Sequence, residues 1–281
     1  MFGPNVVPSY SHRDLHFKKM FSEFEELMRN FYNLEKQDIV LYVTGSGTLA
    51  NEIVLSSLSC PVVTVTDGIF SDRIRNTYEL YSDNKNDDGS ICAAVQYETS
   101  VSIYNRRESI SSIFVDAISA SPYYDCDAPI TTTVLSKQFG FRTGTSLIII
   151  RDPVNTLKLF KPQEHTYLSL MKYVEYAQKQ QTPNTPNIHG LEETVERMRG
   201  FDVREFRRTI DSRRAAIEEV CYYKQDLLSI TGEGPVVTFT NIPQRIIDKY
   251  ELYTNSGRAQ VFLWTGMEKD YEEFVKDLRE V

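Results

Sequence analysis

The sequence is poor in the residues that build metal centres and disulfide frameworks. Its four cysteines lie far apart and form no CxxC pair, and its four histidines follow no metal-ligand spacing. This pattern disfavours a zinc site and a disulfide-stapled secreted fold. We expect no bound metal, and we expect the cysteines to be reduced and packed as small apolar groups, as in a cytoplasmic protein.

Long apolar runs and an excess of basic residues are also missing. No segment is long and apolar enough to cross a bilayer, and the first residues, MFGPNVVPSYSHRD, are polar and interrupted by proline. The formal net charge of -8 gives no general attraction to nucleic acid or to anionic lipid. We therefore expect a soluble protein without nucleic-acid or membrane partners, in which a local site holds any anionic ligand.

The first two thirds of the chain alternate helical patterns with short, continuously apolar runs. Helical spacing of apolar residues covers 13–34 and 49–58. Runs without polar alternation are typical of strands buried on both faces, which predicts an α/β fold with a mostly parallel central sheet and covering helices. The predicted strands are Ile39–Val43, Val62–Val65, Ile91–Val95, Ile113–Asp116, Ile130–Val134 and Leu147–Ile150.

The pattern changes towards the end of the chain. A charged helical stretch from Val203 to about Leu228 precedes two predicted strands, 236–240 and 260–264. A last helix is predicted near Thr265, where Thr265-Gly266-Met267-Glu268 has the spacing of a capping box. We predict a large domain over 12–200 and a small α+β domain over 201–281 together with an arm at 1–11.

Three local features suggest chemistry. Thr44-Gly45-Ser46-Gly47-Thr48 stands between a predicted strand and a helix, where a helix N-terminus can bind phosphate. Asp116 ends one buried strand, and Lys137 follows another. Each feature alone has an ordinary structural explanation: a tight turn, a helix cap and a solvated surface charge.

In the order of these features and in the sequence segments around them, the chain resembles the class V aminotransferases. These are fold-type-I enzymes that use pyridoxal 5'-phosphate (PLP) and include alanine–glyoxylate, phosphoserine and 2-aminoethylphosphonate transaminases. The sequence segments FVDAIS and SKQFGFRTGTSLI are specific to the family. The supporting segments are SHRDLHF, GSGTLANE, DGIFSDR, YETS and TPNTPNIHGL. The resemblance implies a fold-type-I PLP-transferase fold.

The resemblance also implies roles for residues around the cofactor ring. Lys137 would carry PLP as a Schiff base and later transfer a proton. Asp116 would keep the pyridine nitrogen protonated, because a nearby negative charge favours the cation. Phe70 would stack on one face of the ring, Ile118 would pack on the other, and Thr99 would bond near the ring hydroxyl.

The cofactor phosphate and the quaternary structure follow from the same resemblance. The phosphate would be bound by Ser46, Gly47, Thr48 and Ser136. Thr185 matches a threonine that reaches the phosphate across a dimer interface, although the nearby Thr182-Pro183 pair leaves this register open. A site completed by a neighbouring subunit implies a homodimer with shared active sites.

The chain departs from the family in two places. Only residues 101–113 connect YETS to FVDAIS, where relatives have a full crossover helix. Relatives also end with a strand reading approximately FRIG, whose arginine binds the substrate carboxylate, and VFLWTG here places Leu263 at the arginine position. The substrate would then be atypical: either it lacks that carboxylate, or another residue anchors it. The candidate anchors are His12, Arg13, Arg142 and Arg258.

These features predict a PLP-dependent aminotransferase that acts on a small amine or amino acid. A PLP-dependent lyase or decarboxylase on the same scaffold is the alternative enzyme. A degenerate PLP-binding protein with a structural role is the third hypothesis, and the retention of both Asp116 and Lys137 argues against it.

Overall fold

Two β-sheets organise the chain in the computed structural model, which describes residues 11–82, 89–162 and 166–281. The strands are β1 (Ile39–Thr44), β2 (Val62–Thr64), β3 (Ile91–Val95), β4 (Tyr97–Glu98), β5 (Ile103–Tyr104), β6 (Phe114–Asp116), β7 (Ile130–Val134), β8 (Thr145–Ile150), β9 (Ser229–Thr231), β10 (Val236–Asn241), β11 (Tyr253–Asn255) and β12 (Arg258–Phe262). The helices are α1 (Leu15–Phe31), α2 (Gly47–Ser57), α3 (Ile69–Glu79), α4 (Arg106–Ser111), α5 (Pro153–Thr156), α6 (Leu170–Gln178), α7 (Ile188–Met198), α8 (Val203–Tyr223), α9 (Gln244–Tyr250) and α10 (Glu268–Arg279).

The larger sheet has six strands in the order β1-β8-β7-β6-β3-β2. β2, β3, β6 and β7 pair in parallel, whereas β8 runs antiparallel to both of its neighbours, β7 and β1. The prediction of a mostly parallel central sheet is confirmed. The carboxyl ends of β3, β6 and β7 meet at one edge, where Asp116 pairs in register with Val95 and Thr132.

Helices cover both faces of this sheet, which is why its strands are apolar without alternation. On β1, Val40 and Tyr42 pack with α1 and α7, whereas Leu41 and Val43 pack with α2, α3 and α6. The helix predicted over 13–34 is shorter, because Asp14 caps α1 by accepting a hydrogen bond from the N–H of Phe17 (2.9 Å). Among the described helices, none has both the length and the apolar character needed to cross a bilayer.

The short connection between β3 and β6 holds little regular structure. It contains the two-stranded hairpin β4–β5 and the six-residue helix α4. α4 packs on β3, so a reduced crossover still returns the chain to a parallel neighbour in the sheet.

The second sheet is antiparallel, in the order β11-β12-β10-β9, and packs with α8, α9 and α10 around its own apolar core. The predicted boundary residue, Phe201, lies between the two parts, with its ring 5.2 Å from that of Phe139 and 5.7 Å from that of Phe206. The division at 200/201 stays a prediction. Residues 1–10 of the predicted arm lie outside the described residues.

The predicted start of the last helix is wrong by three residues. α10 begins at Glu268, and the carboxylate of Asp270 accepts a hydrogen bond from the N–H of Met267 (3.1 Å). Thr265 is occupied elsewhere, because its hydroxyl donates to the carbonyl of Phe262 (2.8 Å) in a turn after β12. Gly266 then has a φ of 77°, which is incompatible with a right-handed helix, so no helix can start before it.

The packing of α1 on the central sheet can be tested with Phe24→Ala. Phe24 is fully buried, and its ring meets that of Tyr42 edge-on at 5.5 Å. Removing a buried phenyl ring should lower the free energy of unfolding by about 3–5 kcal/mol, measured by urea denaturation. Leu15→Ala, at an exposed position of the same helix, should change it little, and equal effects would contradict this packing.

Candidate active site

The N-terminus of α2 forms one wall of a cavity at the carboxyl edge of the central sheet. Ser46 caps the helix by accepting a hydrogen bond from the N–H of Leu49 (3.3 Å). The first N–H groups of α2, from Gly47 and Thr48, have no partner within the helix, so they are available to an anion in the cavity. A Cβ on Gly47 would lie 2.4 Å from Ile118 Cδ1, which explains the glycine.

Asp116 places a carboxylate at the end of β6, with 6% of its surface exposed. Its Oδ1 accepts from the N–H of Ile118 (2.9 Å), and its Oδ2 accepts from Asn51 Nδ2 (2.7 Å). The amide of Asn51 is oriented in turn by the hydroxyl of Thr132, which donates to Asn51 Oδ1 (2.5 Å). Burial raises the pKa of Asp116, and the two hydrogen bonds and Lys137 oppose the shift.

Lys137 follows β7 and directs its amine into the same cavity. Nζ donates a hydrogen bond to Ser119 Oγ (2.7 Å) and lies 5.4 Å from the centre of the Phe70 ring. Burial lowers the pKa of Lys137; Asp116 raises it, and Arg73 lowers it further. A lowered pKa increases the neutral fraction of the amine, which is the nucleophilic form.

Phe70 is held at the start of α3 by a carboxylate that sequence analysis missed. Glu98 Oε2 accepts from the N–H groups of Phe70 (3.2 Å) and Ser71 (3.3 Å), and burial raises the pKa of Glu98. Glu98 fills the space beside Gly68, where a Cβ would lie 2.4 Å from its Cδ. Glu98, the glutamate of the YETS segment, therefore fixes the position of the Phe70 ring.

The cavity has a volume of about 360 Å³ and gathers most of the predicted cofactor residues. Those that line it are Ser46, Gly47, Thr48, Phe70, Asp116, Ile118, Ser136 and Lys137. Sequence analysis missed Asn51, Arg73, Ser119 and Thr143, which line it too. The signal for Asn51 was present in GSGTLANE, because residues four apart share a helix face and Asn51 is four residues after Gly47.

Two of the three predicted threonines, Thr99 and Thr185, lie outside this cavity. Thr99 lines an adjoining cavity of about 340 Å³, and its carbonyl accepts from Gln260 Nε2 (2.6 Å). Thr185 is exposed on the surface. Thr182 is buried, and its hydroxyl donates to the carbonyl of Asn184 (2.7 Å), so Thr185 is the member of the pair available to another subunit.

The predicted substrate residues line neither cavity within a single chain. Arg142 pairs with Glu193 (2.8 Å) with 74% of its side chain exposed, and Arg258 is exposed on β12. Arg13 lies over the ring of Tyr176, and the Nε2 of His12 is buried without a hydrogen-bond partner. A substrate role for these residues stays a prediction that would need a second subunit.

Leu263, predicted at the position of the relatives' arginine, lines neither cavity. Its side chain is 1% exposed and packs in the core of the second sheet, away from the cavities. The residues on either side of it, Phe262 and Trp264, line the adjoining cavity instead. Neighbouring residues of an extended segment face opposite sides, so a shift of one position exchanges core and cavity.

Comparisons of the sequence with protein-family models and with curated proteins find no match. The structure, however, is similar over nearly its whole length to solved aminotransferases. A phosphoserine aminotransferase from Cytophaga hutchinsonii has a TM-score of 0.77 at 18% identity, with 96% of this chain and 90% of that chain covered. An aspartate aminotransferase of subgroup IV from Thermus thermophilus has a TM-score of 0.78 at 16% identity, with 98% and 93% covered.

A third solved structure agrees with these two. An alanine–glyoxylate aminotransferase from Nostoc sp. has a TM-score of 0.76 at 16% identity, with 98% of this chain and 89% of that chain covered. The chain has the fold of these aminotransferases. The predicted fold class is thereby confirmed. Within the described ranges, no group of three or more His, Cys, Asp and Glu side chains is arranged to hold a metal ion.

The raised pKa of Asp116 predicts a pH effect on the stability of the protein without cofactor. A carboxylate whose pKa is higher in the folded state than its usual 3.9 or so contributes stability below that value and loses it as pH rises through the folded pKa. Asp116→Asn removes this loss. The melting temperature of the variant should therefore gain on that of the wild type as pH rises from about 4 to 8.

Asp226→Asn, at an exposed position beyond the end of α8, is the matched control and should follow the wild type across this range. A constant difference in melting temperature between wild type and Asp116→Asn would contradict the burial of an ionisable carboxylate at this position.

Proposed function

We propose that the protein is a PLP-dependent aminotransferase of the class V type. The observation that carries the proposal is a single cavity that combines the amine of Lys137, the buried carboxylate of Asp116 and the N-terminus of α2. The aminotransferase fold and the structural neighbours support it, among them a phosphoserine aminotransferase from Trichomonas vaginalis described as PLP-bound.

The residues of the cavity fit each part of PLP. The unpaired N–H groups of α2, with Ser46, Thr48 and Ser136, suit a phosphate dianion. Phe70 offers an aromatic face, and Ile118 offers an apolar surface. The burial that raises the pKa of Asp116 is a cost that a cationic pyridine nitrogen offsets, because an opposite charge stabilises the carboxylate.

Bound PLP would supply an electron sink for negative charge that develops at the substrate Cα. Lys137 would hold the cofactor covalently through Nζ and then carry a proton on the same atom. Ser119 would orient that amine, since it already accepts its hydrogen bond. Asp116 would hold the proton on the ring nitrogen, and Asn51 would keep the carboxylate aimed at it.

The carboxylate anchor is assigned to a residue that sequence analysis did not name. Arg73 lines both cavities, and within the described residues it forms no ion pair with a carboxylate. Its guanidinium lies 5.1 Å from the centre of the Phe70 ring, beside Lys137. Arg73 can therefore meet a carboxylate on a substrate whose amine is at Lys137.

We further infer a cytoplasmic homodimer acting on a small amine or amino acid. The support for shared active sites is the exposure of Thr185, which a partner subunit could contact. A PLP-dependent lyase or decarboxylase is the second candidate. The aromatic residues Phe262 and Trp264 on the expected clamp segment favour it, because a substrate held by its side group can place a different Cα bond across the ring.

Cofactor binding can be tested with Lys137→Ala. Wild-type protein purified with added PLP should be yellow, and the variant should lose the absorbance band of the lysine-bound cofactor because it has no amine at this position. Absorbance spectroscopy after removal of free PLP measures the effect. Lys158→Ala, at an exposed position after α5, should keep the band, and a colourless wild type would overturn the proposal.

The role of Arg73 can be tested with Arg73→Met and two amino donors. Phenylalanine and 2-phenylethylamine differ by the carboxylate alone. Loss of a charge-assisted hydrogen bond should lower kcat/KM for phenylalanine about ten- to a hundredfold and leave the value for the amine within about twofold.

Arg75→Met, on the same helix, is the matched control and should leave both values nearly unchanged, since Arg75 is paired with Asp72 and lines neither cavity. Equal losses for both donors, with weaker retention of PLP, would assign Arg73 to the cofactor phosphate and contradict the anchor.

A further inference from the structure

A second cavity adjoins the one proposed for the cofactor. It shares Phe70, Arg73 and Lys137 with the first cavity and has a volume of about 340 Å³, roughly that of ten water molecules. This space is therefore open to the remaining groups of a substrate whose amine meets Lys137.

The far wall of the second cavity is a row of three aromatic rings. The centre of the Phe262 ring lies 5.1 Å from that of Trp264 and 6.3 Å from that of Tyr253. Gln260 and Phe262 face the same side because they alternate along β12, and Trp264 follows in the turn after the strand. Tyr253 joins them from β11, where it pairs in register with Gln260.

The charge of the lining limits what the cavity accepts. Its described lining residues include no carboxylate, and its ionisable cations, Arg73 and Lys137, lie at the junction with the first cavity. The buried Gln260 uses its Nε2 to bond Thr99 O (2.6 Å) and Thr238 Oγ1 (3.0 Å), which fixes its amide as part of the wall. The other polar lining residues, Ser100, Asn255 and Thr265, are uncharged, so a charged group at the far end would lose water without gaining an ion pair.

We propose that the substrate carries an aromatic or comparably flat apolar side group, bound against Tyr253, Phe262 and Trp264. This inference rests on the proposed function and deepens it, since it assigns the substrate class of the same site. Aromatic groups prefer offset or edge-on contact with other rings, which a row of tilted rings offers. Small or dicarboxylic donors such as alanine and glutamate would leave the wall unused.

Binding can be measured without turnover. Trp264 is the single tryptophan of the chain, so its fluorescence reports on this wall alone. The probe is 3-phenylpropionate, which has a carboxylate and a ring but no amine to react, added to the PLP-loaded protein. We expect a saturable fluorescence change with 3-phenylpropionate, and at least tenfold weaker binding of propionate and succinate.

Two variants locate the binding on the aromatic row. Phe262→Ala should weaken binding of 3-phenylpropionate about tenfold, and Tyr253→Ala should weaken it in the same direction at a more exposed, structurally tolerant position. Tyr223→Ala, which removes an exposed ring at the end of α8, is the matched control and should leave binding unchanged.

The absorbance of bound PLP in the same samples separates the two proposals. PLP uptake with succinate binding as tightly as 3-phenylpropionate, or with no loss in either ring variant, would overturn the aromatic substrate class and leave the aminotransferase proposal standing. Failure of the wild type to take up PLP would overturn the proposed function and the inference that rests on it.

Discussion

The burial of the Asp116 carboxylate is the constraint on which the arrangement of the site depends. A negative charge with so little exposed surface requires hydrogen bonds from two directions, and it receives them from Asn51 and from the backbone of Ile118. These bonds tie the end of β6 to α2, and Gly47 lets the helix approach closely enough for them to form. The turn before α2 and the acid are thus positioned by one set of contacts.

The same buried environment shifts the pKa of Lys137 in the opposite direction. Burial raises the pKa of the acid and lowers that of the amine, and the attraction between the two limits both shifts. The proposed cofactor would place a ring cation near Asp116 and an aldehyde near Lys137, which would stabilise the buried carboxylate and use the neutral form of the amine. In the proposed function, the second cavity with its aromatic wall would then decide which substrate side groups can follow the amine to Lys137.

Much of the fold and of the candidate site could be predicted from the sequence, because the residues that suggest chemistry stand in short, recognisable segments. The turn around Gly47, the strand-end Asp116 and the strand-following Lys137 each sit at a junction that apolar runs and glycines reveal. The parallel sheet was predictable for the same reason, since strands buried on both faces show no alternation. Asp116 and Lys137 follow the adjacent strands β6 and β7, and the turn around Gly47 follows β1, which is separated from β7 by β8 alone. This arrangement brings most of the predicted cofactor residues to one cavity.

The remaining features depend on which way a side chain faces and on which distant segments pack together. Short sequence segments do not contain this information. Leu263 and Phe262 are adjacent and both apolar, so only the strand register decides which one meets the cavity. Arg73 lies three residues after Phe70 on α3, so their closeness is local, but the opening of Arg73 to both cavities is not visible in the sequence. Glu98 ends β4 and reaches Phe70 only because distant segments pack together. Thr185 faces outward from a single chain, so its role depends on a surface that another subunit would supply.

The central claim is that PLP is bound covalently to Lys137, and chemical trapping tests it most directly. PLP-loaded protein is reduced with borohydride, which makes a lysine-bound cofactor permanent, and the digested protein is analysed by mass spectrometry. The account predicts a pyridoxyl group on the peptide that contains Lys137. A label on another lysine, or no label in protein shown to hold PLP, would contradict it.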